Sequence, residues 1–342
     1  MTATLAGAYM PAMGDVKSLT VGVGEDGVRL DRWLRRRWPH LGQTQIHKLA
    51  RSGQLRVDGG RIKADTRLEA GQVVRVPPLP EVAPPRKEGL SRDDIRFAHS
   101  LALYEDDEVL ILNKPAGLAV QGGTKTRHHI DRLLSAWGEG PDRPRLSHRL
   151  DRDTSGVLAL GKTPNAAARL SGAFAKRRAE KTYWALVAGN PKPGAGIIDQ
   201  PLAKIGVGDR ELVTPVPAKD PRAEAAVTLY ATVSRAGPRA AWVALRPLTG
   251  RTHQLRAHMR ALGHAILGDP KYNSEAAIEV AGPLKLQLHA RRLVIPHPSR
   301  GLIDVEAPLS TEMQAGFARF GFEEHEAGEI QFPEFRRPWH GG

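Results

Sequence analysis

The stretch SHRLDRDTSGVLALGK, Ser147 to Lys162, sets a crowd of charge directly before an apolar run. If HRLD runs extended into VLALGK, period two places Arg149, Asp151 and Asp153 on one side and His148, Leu150 and Arg152 on the other. Thr154, Ser155 and Gly156 are then expected to form a tight polar turn offering backbone N–H groups. Asp151 can face a cleft, yet an aspartate between arginines is more often a structural ion pair than a catalyst. The deciding information has to come from elsewhere in the chain.

The second stretch that matters is GRTHQLRAHMRALGH, Gly250 to His264. Leu255, Met259 and Leu262 recur at helical spacing, Gly263 is placed to end the helix, and Thr252 is a good N-cap. Arg251 is thereby expected at the positive helix end, where an anion belongs. That anion is either a phosphate or the carboxylate of Asp151, whose charged form an adjacent guanidinium favours.

The 342 residues carry 50 Lys and Arg against 37 Asp and Glu, a net charge of +13 that points to a polyanionic partner, nucleic acid first. From Val28 to Pro77 there are twelve basic residues against four acidic ones, so more than half of the excess lies in this short span. Leu30, Trp33 and Leu34 fall on one helical face, leaving Arg29, Arg32, Arg35 and Arg36 outside. In TQIHKLARSG, Ile46, Leu49 and Ala50 form an inner face, Lys48 and Arg51 lie among the polar positions, and Gly53 stops the helix. QLRVDGGRI reads as strand, turn and return, with QVVRV a last strand.

Cysteine is absent, which removes disulfides, thiol nucleophiles and thiolate metal sites. No His-Glu-x-x-His pattern occurs among the histidines, so no metal is expected. No apolar run approaches a membrane span and the N-terminus lacks the basic region of a secretory signal, so a cytoplasmic protein is expected. PPLPEVAPP, Pro77 to Pro85, is an extended spacer. The resulting division is a flexible tail over 1–27, a small basic module over 28–77, a Pro-rich linker over 78–97, a large domain over 98–320 and a polar tail over 321–342. The large domain mixes short strands and helices without a regular repeat, so its class is α+β with a mixed, largely antiparallel sheet.

Two resemblances sharpen this reading. RLDRWL with IHKLARSGQLRVDG resembles the alpha-L RNA-binding module shared with ribosomal protein S-four. HRLDRDTSG together with GRTHQLRAHM resembles the RluA-type family of pseudouridine synthases. LYEDDEVLILNKPAGLAV, EKTYWALVAG, GDPKY and LHARRLVIPHP follow in the family's order. The combination resembles the branch that modifies large-subunit ribosomal RNA, with transfer RNA as the alternative substrate and a monomer as the default state.

The resemblance implies a cofactor-free isomerisation in which uracil is detached at its glycosidic nitrogen, turned, and rejoined to the ribose through carbon five. Asp151 maps onto the catalytic aspartate, Arg149 onto the residue that fills the space left by a flipped base, and Tyr183 onto the active-site tyrosine. Leu288 is expected on the other face of the base. Arg251 is the expected partner of Asp151, and Arg29, Arg32, Arg36, Lys48 and Arg51 are expected to grip RNA. His148, His253 and His289 read as residues that orient loops, and Lys114 as scaffold. The competing readings are an RNA-binding protein without catalysis and a hydrolytic nucleosidase.

Overall fold

The computed structural model describes residues 15–39, 41–79, 89–122, 128–207 and 210–335. The chain divides into two units, Met1–Gly89 and Leu90–Gly342.

In the first unit, strand β1 (Lys17–Thr20) precedes helices α1 (Leu30–Arg37) and α2 (Gln43–Arg51), which are followed by β2 (Arg56–Val57), β3 (Gly60–Arg61) and β4 (Val73–Val76). The strands form an antiparallel sheet in the order β1-β4-β2-β3. Leu30, Trp33 and Leu34 of α1 are fully buried and pack with Ile46 and Ala50 of α2 over this sheet, as their spacing requires. Gly53 has φ +72°, a left-handed conformation that ends α2 without Cβ strain. The module begins ahead of the expected Val28, because Lys17–Thr20 pairs with β4. Only part of the expected tail, residues 1–14, lies outside the described residues.

The second unit opens with α3 (Arg92–Ser100), inside the span expected to be linker, and Ser91 caps it through Asp94 N–H at 3.0 Å. Residues 80–88 of that span lie outside the described residues. The elements that follow are β5 (Ala102–Glu105), β6 (Val109–Lys114), α4 (Ile130–Leu133), β7 (Arg145–Leu146), β8 (Ser155–Gly161) and α5 (Pro164–Ala175). Then come β9 (Glu180–Ala188), β10 (Ala195–Asp199), β11 (Leu202–Val207), β12 (Arg210–Pro215), β13 (Val227–Ala236) and β14 (Ala240–Pro247). The unit closes with α6 (Gln254–Ala261), α7 (Glu275–Ala281), β15 (Leu288–Pro296), β16 (Leu302–Glu306) and α8 (Thr311–Phe320).

The main sheet runs β10-β13-β14-β9-β15-β8-β6-β5, with β16 on β15 and β7 on β8, while β11 and β12 form a separate hairpin. Among the described residues its pairs are antiparallel except β8 with β15, which run parallel at His289 opposite Ser155 and Ala290 opposite Gly156. This is the mixed α+β arrangement expected.

The β8–β15 junction positions the site. Every residue of β8 is buried, as a strand covered on both faces must be. Gly156 has φ +108°, and a Cβ there would lie 2.2 Å from the Ala290 carbonyl oxygen, so only glycine permits the approach. His289 bridges Ser155 Oγ (2.8 Å) and the Ala307 carbonyl (3.3 Å) across the same junction. Burial pulls its pKa down to about 4, which keeps the ring neutral, so Nδ1 accepts from the serine while Nε2–H donates.

On one face of the sheet, α3 and α4 cover β6 and β8, and α6 covers β9 and β14. Tyr183 of β9 packs against both apolar clusters, at the seam between them. On other parts of the sheet α5 packs with β8 and β15, and α7 and α8 pack with β9 and β14. The C-terminal segment expected to be a polar tail belongs to the last of these layers. Phe322 is buried there, and Ile330 and Phe332 pack against the cluster of Trp184 and Trp242. Residues 336–342 lie outside the described residues.

Candidate active site

Asp151 occupies the turn that feeds β8, and the chain is fixed on both sides of it. Before it, His148 Nε2 accepts a hydrogen bond from Ala159 N–H (2.9 Å), and Leu150 is buried. Burial lowers the His148 pKa to about 3, so the ring stays neutral and can accept. After it, the fully buried Lys114 donates to the carbonyls of Pro115, Leu118 and Arg152 at 2.8, 2.9 and 2.9 Å. Burial draws this ammonium down to about 8, against Asp153 and Asp151, so it remains charged at neutral pH and its three protons are all used. The turn itself spans Asp151 to Thr154, closed by Thr154 N–H on the Asp151 carbonyl (3.2 Å). Ser155 and Gly156, expected in the turn, instead open β8, because they pair with β15.

The cation beside Asp151 is Arg256 and not Arg251. Arg256 Nη1 lies 3.7 Å from Asp151 Oδ2, and His253 Nε2 lies 3.8 Å from the same oxygen. Arg251 pairs instead with Glu224 (2.8 Å) and donates to the Ala225 carbonyl (3.1 Å). The cause is local backbone geometry. His253, at φ +52°, and not the expected Thr252, is the N-cap of α6, and its side chain makes no capping bond. The Gln254 side chain secures the preceding loop by accepting from Thr249 Oγ1 (2.6 Å) and Arg251 N–H (3.1 Å) and donating to the Val227 carbonyl (2.9 Å).

Arg256 is buried and doubly bonded to the buried Asp269, at 2.7 Å for each arm. Burial disfavours charge on both, and their mutual hydrogen bonds overcome it, so the Arg256 pKa is raised and that of Asp269 lowered. Asp269 also accepts from Lys271 and Tyr272 N–H at 2.8 and 2.9 Å. The remaining nitrogen of the fork is thus aimed at Asp151 by a rigid support. The Tyr272 hydroxyl accepts from Val213 N–H (3.0 Å) and contacts His253 Nδ1 (2.9 Å).

Tyr183 and Leu288 share one face of the sheet, since Tyr183 pairs with Ala290 and Ala185 with Leu288. Burial, reinforced by Asp151, raises the Tyr183 phenol above its usual range, so it is a neutral hydroxyl at physiological pH. Leu288 is 3 % exposed in the cluster against which Tyr183 packs. Arg149 is exposed and makes no ion pair or hydrogen bond with any described residue. In the first unit, Arg32, Arg36 and Lys48 are exposed, and Arg51 donates to the His47 carbonyl (3.3 Å). Arg29, expected on the outer face, is committed to Asp31 through two bonds of 3.1 and 2.7 Å.

Sequence reasoning missed Arg256, Asp269 and Tyr272. The available signal was that an arginine flanking the Leu255 stripe on a short helix needs an acidic partner once that helix is buried, and GDPKY supplies one. Among the described residues no three His, Asp or Glu side chains converge as a metal site would require. The centre can therefore present a partly buried carboxylate with one oxygen facing a guanidinium and a neutral phenol near it, while two residues before the carboxylate Arg149 is exposed and unpaired among the described residues.

The family model described as RNA pseudouridylate synthase matches residues 108–261. A ribosomal large subunit pseudouridine synthase C from Vibrio vulnificus (strain CMCP6) is 33 % identical over 306 residues, covering 86 % of this chain and 94 % of the relative. The enzyme of the same name from Salmonella typhimurium is 33 % identical over 312 residues, covering 87 % and 95 %. Among solved structures, human RNA pseudouridylate synthase domain containing 4 superposes with a TM-score of 0.56 at 27 % identity, covering 68 % of this chain and 99 % of that one.

Proposed function

The chain belongs to the RluA-type family of RNA pseudouridine synthases, and from that premise we propose that it isomerises uridine in large-subunit ribosomal RNA with Asp151 as the catalytic carboxylate. The observation that carries the assignment is the position of Asp151, half-buried at a turn tied down on both sides, with Arg256 at 3.7 Å and Tyr183 within its electrostatic reach. A guanidinium so placed stabilises negative charge on a carboxylate while leaving it open to a substrate.

In the reaction the N1–C1′ bond of uridine breaks, a C5–C1′ bond forms, the C5 proton leaves and N1 regains one. A paired uridine has to leave its stack first, at a cost of a few kcal/mol. Arg149, exposed and unpaired among the described residues, is suited to fill the vacated space, because a planar guanidinium both stacks and bonds to bases. Tyr183 offers a ring to the extruded uracil and a neutral hydroxyl for proton movement at carbon five. Leu288 supports the ring of Tyr183 within one apolar cluster. Arg32, Arg36, Lys48 and Arg51 of the first unit supply cationic contacts to RNA phosphates.

The names of the relatives favour ribosomal over transfer RNA as the substrate. Mapping pseudouridines in a strain lacking this protein tests the choice. At least one pseudouridine of large-subunit ribosomal RNA should revert to uridine, with the transfer RNA pattern unchanged. An unchanged ribosomal map with a lost transfer RNA position would overturn it.

A further inference from the structure

The proposed centre leaves His253 without a task, although three features single it out. It adopts φ +52°, a region that L residues with large side chains rarely occupy and that the surrounding structure must impose. Its ring is held edge-on to Tyr272, with centroids 5.4 Å apart and planes at 75°. Its Nε2 faces the same carboxylate oxygen that faces Arg256.

The hydrogen bonds favour one tautomer of the ring. The Tyr272 hydroxyl accepts from Val213 N–H at 3.0 Å, and among the described residues the one acceptor within reach of its own proton is His253 Nδ1 at 2.9 Å. Nδ1 is therefore the acceptor and the imidazole proton sits on Nε2, pointing at Asp151 Oδ2. Asp151 Oδ1 makes no hydrogen bond to a described residue.

We propose that His253, held as a neutral Nε2–H tautomer by Tyr272, is a positioning residue that fixes Asp151 Oδ2 together with Arg256 and leaves Oδ1 as the oxygen that meets the nucleotide. This rests on the reading of Asp151 given above. At 3.8 Å the contact is longer than a hydrogen bond, and a shift of about 1 Å as substrate fills the cleft closes it. A second full positive charge would bind the carboxylate too firmly to react, whereas a neutral N–H orients it.

The groups facing the ring are Asp151 from the turn before β8, Arg256 from α6, and Asp269, Lys271 and Tyr272 from the loop that follows. Burial lowers the His253 pKa from 6.5, Asp151 opposes this, and Arg256 and Lys271 add to it, so the ring is neutral at physiological pH. Protonating Nδ1 also requires the Tyr272 hydroxyl to change from donor to acceptor in this bond, which leaves its own proton without that partner.

The experiment is an NMR titration of carbon-13-labelled histidine in the whole protein, alongside single-turnover tritium release from large-subunit ribosomal RNA labelled at carbon five of uracil. In Tyr272→Phe the His253 pKa should rise by about one unit, the worth of one hydrogen bond, and the acid limb of the release rate should move up with it. In Asp151→Asn the His253 pKa should fall. His253→Gln, whose amide N–H stands near the place of Nε2–H, should keep the neutral-pH rate within about tenfold, whereas His253→Ala should lose more than that with RNA affinity unchanged. An unmoved His253 pKa in both Tyr272→Phe and Asp151→Asn, or a wild-type rate in His253→Ala, overturns the proposal. If wild type releases no tritium, the reading of Asp151 fails, while the titration still decides whether Tyr272 and Asp151 govern the ring.

Discussion

Asp151 differs from the aspartates around it in being held without being used up. Asp269 receives four hydrogen bonds, two from Arg256 and two from backbone N–H groups, and its side chain is fully buried, closed to a ligand. The Asp151 carboxylate has a guanidinium at 3.7 Å and a neutral imidazole at 3.8 Å, and no hydrogen bond to a described residue saturates it. Arg256 reaches both aspartates because its fork is planar and rigid, which lysine cannot reproduce. Arg256→Lys should therefore lower the single-turnover rate about 100-fold with RNA affinity nearly intact, as measured by tritium release and filter binding. Arg251→Met, which removes a partly exposed pair with Glu224 and an exposed bond to the Ala225 carbonyl, should stay within about threefold of wild type in the same assays. Alternation in HRLD allowed Asp151 to face a cleft, and it was the resemblance of HRLDRDTSG and GRTHQLRAHM to a known family that singled it out. Arg256 was not legible, since choosing it over Arg251 depends on the left-handed His253 and on the Gln254 bonds, neither of which spacing reveals.

At the scale of elements, the parallel contact of β8 with β15 is what brings the Asp151 turn beside Tyr183 and Leu288. Gly156 is the closest point of that contact. Gly156→Ala would combine a strained φ of +108° with a Cβ 2.2 Å from a backbone oxygen that cannot rotate away. The expected cost is about 3 kcal/mol or more, seen as a fall in Tm of about 10 °C by calorimetry, with turnover lost in the protein that remains folded. A Tm within about 2 °C of wild type would contradict the role given to this junction. Helices such as α1 and α2 were readable because apolar spacing and a terminating residue agree, Pro39 after α1 and Gly53 after α2. The start of β8 was not, because Ser155 and Gly156 are strand residues only by virtue of partners at His289 and Ala290, more than 130 residues away in sequence. The tail suffered similarly: Phe322, Ile330 and Phe332 are too sparse to show periodicity, yet each finds the Trp184 and Trp242 cluster.

For the whole molecule, the uneven distribution of charge was the most legible property. It points to the basic span around Arg32, Arg36, Lys48 and Arg51 for the proposed RNA contacts, while the motifs around Asp151 place the proposed chemistry in the larger unit. If affinity and chemistry are separable in this way, removing the carboxylate's charge should spare binding and its salt dependence. The decisive measurement is tritium release from large-subunit ribosomal RNA labelled at carbon five of uracil, comparing wild type with Asp151→Asn at matched occupancy of the RNA. Release by wild type, with a rate at least about 1,000-fold lower from equally well bound Asp151→Asn, is the predicted result. Equal release by the two proteins would contradict it, because the isomerisation would then be carried by some other group.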